Sequence, residues 1–129
     1  MRTWFVVASV LLALAQPAFA QSFPSRPVRI VVGFAPGGAP DVVARLVSDS
    51  LSARLGQPVV VDNRGGANGI IGADIVSKAQ SDGHTLLITS ASFAINPSVI
   101  RKLPFDPIRD FTPITALVSS AAARSALAS

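Results

Sequence analysis

Residues 28–41 read VRIVVGFAPGGAPD, and this stretch determines how the chain should fold. The apolar, β-branched run at residues 28–32 predicts a buried parallel strand. Residues 42–55 repeat apolar side chains at helical spacing, and Pro40 and Asp41 suit the first turn of a helix. Residues 34–38, the first loop, therefore join a strand to a helix N-terminus. The unpaired N–H groups and positive dipole of that helix end suit a small anion.

The same alternation of strand and helix continues after this helix, which Gly56 should end. The patterns predict a strand at 59–61, a second glycine loop at 63–69, a helix at 70–79 with Ile71, Ile75 and Ala79 on one face, and a strand at 85–89. On the first helix, the predicted apolar face carries Val43, Leu46, Val47, Leu51 and Leu55. A short helix is expected near 98–102, and a fourth strand is expected to start at 114–118.

Alternating strands and helices predict an α/β fold with a doubly wound parallel sheet. Right-handed crossovers give the strand order 2-1-3. Ligands of such sheets bind beyond the carboxyl ends of the strands, where the strand order reverses. Here that point lies between the first and third strands, whose ends carry the first loop and Ser90 to Ser92. The helix dipole and the strand order thus indicate the same place for a ligand.

The main alternative to a small-anion site at the two glycine loops is a nucleotide-binding site. The dinucleotide fingerprint needs Gly-x-Gly-x-x-Gly and the P-loop needs Gly-Lys-Ser/Thr, and neither loop has these spacings. Glycines that only make tight turns remain the alternative for each loop taken alone. Two such loops, each opening a helix beside a parallel strand, favour binding over that alternative.

Polar residues near these loops have simpler interpretations as well. Asp41 is expected to stabilise the helix start and to pair with Arg45, four residues later. Arg64 is expected to pair with Asp62. Ser90 and Ser92 could donate hydrogen bonds to a carboxylate or be ordinary loop serines. His84, alone of its kind and without neighbouring ligands, is expected at the surface.

Composition narrows the functional classes. The chain has no cysteine, which excludes disulfides, thiolate metal sites and cysteine nucleophiles. Eleven Lys and Arg outnumber seven Asp, but the basic residues are scattered, so no nucleic-acid surface is predicted. No cofactor or metal site is predicted either. Residues 1–20 carry a short apolar run and end in Ala18-Phe19-Ala20, which predicts a signal peptide cleaved after Ala20.

Several longer segments carry a family resemblance. They are residues 27–32, 34–38 with Asp41, Ala44 and Arg45, 61–72, 81–87, Asn96-Pro97, 103–106 and 110–113. Together they span roughly residues 23–118. In these segments the chain resembles the substrate-binding proteins of tripartite tricarboxylate transporters, the Bug or TctC-like family.

The resemblance implies part of the first lobe of a periplasmic binding-protein clamshell that captures small carboxylates for membrane transporter subunits. It also implies a monomer in the periplasm, with residues 21–118 as a partial N-terminal lobe. The ligand contacts would be main-chain and polar groups from the two loop regions, namely Phe34, Ala35, Pro36, Gly37, Gly38, Asp41, Ser90, Ser92 and Asn96. Gly65 and His84 depart from the commonest family pattern, which has Pro and Tyr there.

Length is the larger departure. The Ala/Ser-rich residues 119–129 do not fit what normally follows in the family, so a truncated subunit with weak or no binding is expected. Two alternatives stay open: a non-functional remnant of a broken gene, and an exported α/β enzyme. The enzyme is disfavoured because the chain lacks Gly-x-Ser-x-Gly and a His–carboxylate–nucleophile set.

Overall fold

The computed structural model describes residues 22–118. The predicted signal peptide and the 119–129 tail lie outside the described residues. Within them the elements are three strands, three helices and one 3₁₀ turn. In chain order they are β1 (Val28–Val32), α1 (Ala39–Leu55), β2 (Val59–Asn63), the 3₁₀ turn (Ala67–Gly69), α2 (Ile70–Ser77), β3 (Thr85–Ile88) and α3 (Ser92–Val99).

The three strands form one parallel sheet in the order β2-β1-β3. Val28 pairs with Val59, and Val32 pairs with Asn63 on one side and Ile88 on the other. The predicted α/β class and strand order are therefore confirmed. The carboxyl ends of all three strands consequently meet at one edge of the sheet, which is the edge that carries the loops.

The core centres on β1, because it is the middle strand. Its residues Val28, Ile30, Val31 and Val32 are at most 2% exposed. α1 contacts β1 and β2, and α2 contacts β1 and β3. Right-handed crossovers on either side of β1 place these helices on opposite faces of the sheet. Each buried Val or Ile stabilises the fold by about 1.5–3 kcal/mol, which gives the loops a rigid base.

Helix α1 has the predicted ends, and its predicted face is correct in part: Val43, Val47, Leu51 and Leu55 are half-buried, but they are not the most buried positions. Gly56 ends it in the left-handed conformation at φ 66°, and its N–H donates to the Ser52 carbonyl. The buried positions are Asp41, Ala44 and Ser48, whereas Leu46 is 69% exposed. Small side chains at the centre of the face let the helix approach the sheet closely, and the larger ones lie at its flanks.

The predictions for the later elements need three corrections. α2 is shorter than predicted and buries Gly72 and Ala73, so Ile71 lies 47% exposed instead of on the core face. α3 spans Ser92–Val99 rather than 98–102, because Pro97 lies inside the helix and does not start it. Residues 114–118 form no strand. No helix within residues 22–118 is long and apolar enough to cross a membrane.

His84 was expected at the surface, and this prediction is wrong. Its side chain is 7% exposed, because the Phe23 ring packs edge-on against it at a centroid distance of 4.9 Å. Its backbone N–H donates to Asp82 Oδ1 at 3.0 Å, and Arg26 pairs with the same carboxylate at 2.6 Å. These two contacts lower the pKa of Asp82 to about 2. The turn before β3 thereby holds the segment that precedes β1, through Phe23 and Arg26.

Three aromatic rings fix the chain after α3. Phe93, Phe105 and Phe111 pack with centroid separations of 5.1–5.9 Å. Aromatic pairs at this spacing add stabilisation beyond the area that they bury. The irregular segment after residue 100 is therefore attached to the first turn of α3.

Candidate functional site

The first loop is closed by a buried carboxylate. Asp41 is 3% exposed, and its Oδ2 accepts hydrogen bonds from the Gly37 N–H at 2.8 Å and from Arg45 Nε at 3.1 Å. Its Oδ1 accepts from Asn63 Nδ2 at 3.0 Å. The bonds from Arg45, Gly37 and Asn63, in that order of effect, lower the pKa of Asp41 to about 2. The predicted pairing with Arg45 is present, and the carboxylate is fully engaged within the protein.

Asn63 ties the other end of the same loop. Its Nδ2 also donates to the Phe34 carbonyl at 3.2 Å, and its Oδ1 accepts from Arg45 Nη2 at 3.4 Å. The two ends of the first loop, the Phe34 carbonyl and the Gly37 amide, are thus joined through Asn63 and Asp41. Sequence reasoning missed Asn63 as a site residue. Its signal was its position at the carboxyl end of β2, next to the strand that carries the loop.

Glycines let the second loop pack directly against the first. A Cβ at Gly65 would lie 3.1 Å from the Ala35 nitrogen, and a Cβ at Gly72 would lie 2.8 Å from the Gly33 Cα. A Cβ is essentially never found as close to backbone as the Gly72 contact, and the Gly65 contact is tighter than nine in ten real Cβ contacts. The second glycine loop therefore supports the backbone of the first loop.

Arg64 is directed away from this contact. It pairs with Asp62 at 3.0 Å, as predicted, and Arg29 pairs with the same carboxylate. Burial raises the pKa of Asp62, but the bonds from Arg29 and Arg64 outweigh it, so the pKa lies below its ordinary value. The charges of both arginines are consequently paired with Asp62.

The polar residues after β3 form a second group. The Ser90 and Ser92 hydroxyls lie 3.0 Å apart, and Ser92 Oγ donates to the Asn68 carbonyl at 3.3 Å. Asn96 is 4% exposed, and both ends of its carboxamide bond to Asn68. Ser90 is exposed at the edge of the sheet, whereas Asn96 is engaged within the protein.

The structure places the nine predicted residues in two classes. Ala35, Pro36, Gly37 and Ser90 are exposed, and Phe34, Gly38 and Ser92 are half-buried at the same edge. Asp41 and Asn96 are buried and hydrogen-bonded to other residues of the chain. The 3₁₀ turn lies between the two loop regions, since Gly69 contacts Phe34 and Asn68 contacts Ser92.

Several donors of the first loop have no acceptor among residues 22–118. The hydrogen bonds of this range include the Gly37 N–H but none from the N–H groups of Ala35, Gly38 or Ala39. Gly38 caps α1 in an extended conformation, so the dipole of a 17-residue helix favours an anion there. The edge can therefore bind an anion through main-chain N–H groups and serine hydroxyls.

Within residues 22–118, no three His, Cys, Asp or Glu side chains cluster so that they could hold a metal ion. The site is also not enclosed. A cavity of about 780 Å³ lies between α2, β3 and residues 107–115, and a second of about 620 Å³ lies beside residues 97–110. Neither is lined by any of the nine predicted residues. The loop edge lies outside these two cavities, and Ala35, Pro36, Gly37 and Ser90 are exposed on it.

Comparison with known proteins identifies the family. The model of the tripartite tricarboxylate transporter family receptor matches residues 43–128. The chain belongs to this family. The matched range includes most of the Ala/Ser-rich tail. Among other family members, protein BugT of Bordetella pertussis is 42% identical over 104 residues, which are 79% of this chain and 32% of BugT.

Solved structures of periplasmic binding proteins share the fold. The periplasmic binding protein BugD matches with a TM-score of 0.68 and 44% identity, over 71% of this chain and 31% of BugD. MatC from Rhodopseudomonas palustris, solved with bound malate, matches with a TM-score of 0.64 and 40% identity, over 70% of this chain and 31% of MatC. The chain therefore spans about a third of the length of these relatives.

Proposed function

We propose that this chain supplies carboxylate-binding loops of a periplasmic solute-binding protein for a tripartite tricarboxylate-type transporter. The observation that carries the proposal is the set of uncommitted N–H groups at Ala35, Gly38 and Ala39, at the same edge of the sheet as the Ser90 hydroxyl. Membership of the receptor family and the malate bound to the relative MatC support a small carboxylate as the solute.

In this proposal the carboxylate binds to peptide dipoles and not to a cation. Arg45 is the nearest cation on α1, and it is bound to Asp41 and Asn63. Asp41 acts on the loop by accepting a hydrogen bond from the Gly37 N–H. The N–H groups of Ala35 and Gly38, on either side of Gly37, remain for the ligand. Charge-assisted N–H bonds to a carboxylate are roughly twice as strong as bonds between neutral groups.

The nine residues then have different roles. The main chain of Phe34, Ala35, Pro36, Gly37 and Gly38, with Ser90 and Ser92, forms the contact surface, while Asp41 and Asn96 hold that surface in place. The relatives are solute-binding proteins, and we extend binding without catalysis to this chain. Export through a signal peptide at residues 1–20, a periplasmic location, contact with membrane transporter subunits and a monomeric state complete the proposal.

Binding should be weak, because the loop edge is open and buries little of a ligand. Nitrogen-15 NMR of the full chain, titrated with malate, tests this directly. Malate should shift the amide resonances of Ala35, Gly38, Ala39 and Ser90, and the uncharged diamide of malate, as the matched control, should not. Equal shifts with the diamide, shifts confined to other residues, or no shift up to the solubility limit of malate would each overturn the proposal.

A further inference from the structure

The loop before α2 has an unusual backbone. Four consecutive residues have positive φ: Gly66 at 135°, Ala67 at 47°, Asn68 at 54° and Gly69 at 87°. Glycine adopts such angles freely and asparagine tolerates them, but alanine does so only at a cost. A strained run of this kind persists where the surrounding structure holds it, and it is often found at functional sites.

On one side, the run is held by helix α3. Asn68 Nδ2 donates to Asn96 Oδ1 at 2.9 Å, and Asn96 Nδ2 donates back to the Asn68 carbonyl at 3.2 Å. The Ser92 hydroxyl donates to the same carbonyl at 3.3 Å. Asn96 is 4% exposed, so losing either bond would leave a buried polar group without a partner. Asn68 thus connects the turn to the start of α3.

On the other side, the run contacts the first loop. A Cβ at Gly33 would lie 3.1 Å from the Gly69 Cα, and a Cβ at Gly69 would lie 3.5 Å from the Phe34 ring. The contact with Gly33, the residue before the first loop, is backbone against backbone, and the contact with the loop itself is made by the Phe34 ring. The dipeptide Asn68-Gly69 therefore touches both loop regions of the candidate site.

We infer that Asn68 is a positioning residue for carboxylate binding. Its carboxamide and carbonyl set the distance between the Ser90 and Ser92 hydroxyls and the N–H groups of the first loop, although Asn68 itself is not a ligand contact. The inference rests on the proposed function, and it gives the second glycine loop a role in the site.

Two substitutions at one loop separate positioning from folding. Asn68→Gly keeps the left-handed backbone and its carbonyl but removes the carboxamide. Ala67→Gly, the matched control, removes a strained Cβ and leaves the carboxamide in place. In the malate titration, Asn68→Gly should raise the dissociation constant by about two- to tenfold, the equivalent of one hydrogen bond, and Ala67→Gly should leave it unchanged.

The ligand-free spectra provide a second measurement. Asn68→Gly should shift the Asn96 carboxamide and the Ser92 amide resonances, and Ala67→Gly should not. Asn68→Asp replaces the donor facing Asn96 Oδ1 by an acceptor and should weaken binding like Asn68→Gly, which covers the case in which the glycine variant does not fold. Wild-type affinity in both Asn68 variants would overturn the inference alone. A wild-type chain without malate-specific shifts would overturn the proposed function and the inference together.

Discussion

The contact between α2 and the first loop can be tested at Gly72. A Cβ added there would lie 2.8 Å from the Gly33 Cα, 3.3 Å from the Gly33 nitrogen and 3.2 Å from the Arg64 carbonyl oxygen. All three atoms are backbone, so no flexible side chain can rotate away. Ordinary contact begins at 3.4 Å, and Gly72→Ala therefore requires α2 to move back by about 0.6 Å.

Two effects of opposite sign decide the result. Alanine favours a helix interior over glycine by about 0.5–1 kcal/mol. Overpacking a close contact costs about 1–3 kcal/mol. The clash should win, because it involves two separate backbone segments, and the net destabilisation should be about 1–2 kcal/mol. For a domain of this size, that lowers the melting temperature by about 5–10 °C.

Thermal unfolding followed by circular dichroism measures this difference. Gly38→Ala is the matched control: its Cβ would meet only the Ala35 carbonyl at 3.5 Å and the Pro40 ring at 3.8 Å, and its φ is −75°. Because Gly38 is the N-cap of α1 and alanine is a poorer N-cap than glycine, the control should cost up to about 1 kcal/mol, less than Gly72→Ala. A Gly72→Ala chain that melts at or above the wild-type temperature would refute the proposed close contact with Gly33.

Three further predictions concern the carboxylate, the core and the strained turn. The pKa of Asp41, about 2, lies below the ordinary 3.8, so the hydrogen bonds of its carboxylate stabilise the fold above about pH 4 and are lost as the pH falls toward 2. Thermal melts across this range should show the difference in melting temperature between wild type and Asp41→Asn becoming smaller as the pH falls. A constant difference would contradict the lowered pKa of Asp41. Ile30 is 1% exposed, so Ile30→Ala should lower the free energy of unfolding in urea by about 2–5 kcal/mol. Leu46 is 69% exposed, so Leu46→Ala should lower it by about 0.5 kcal/mol or less. Similar losses for the two variants would mean that α1 is rotated about its axis. Ala67→Gly should raise the free energy of unfolding by up to about 1 kcal/mol in the same assay, because the strain of a left-handed alanine costs more than the added flexibility of glycine in the unfolded chain. A lower free energy of unfolding would show that Ala67 is unstrained.

The sheet could be predicted because its signals are local. β-branched runs mark the strands, and a glycine ends α1 where the pattern stops. The buried face of α1 could not be predicted from hydrophobicity, since Asp41 lies in the interior through its hydrogen bonds and Leu46 does not. His84 became buried through Phe23, a contact 61 residues apart in sequence that no local pattern encodes.

The placement of the two loop regions at one edge of the sheet was predictable, but the hydrogen bonds between them were not. The rule for strand ends located both loop regions, because it depends only on strand order. The roles of Asn63 and Asn68 depend on the separations between loops, which are known only when the strands are aligned. The family resemblance implied Asp41 and Asn96 as ligand contacts, and the structure shows their polar groups hydrogen-bonded within the protein.

The proposed binding of a solute by peptide N–H groups at the first loop has a consequence for how this chain tolerates substitution. Every residue except proline carries an N–H, so exchanging the exposed Ala35 for another residue leaves its donor in place. A systematic substitution scan should therefore find Ala35 permissive, whereas the exposed Gly37 should be sensitive because its φ of 86° favours glycine. The other sensitive positions should be Gly33, Gly72 and Asn63, which shape the loop from beneath. The scan would then identify the residues that support the loop, and it would not identify the main-chain atoms that touch the solute.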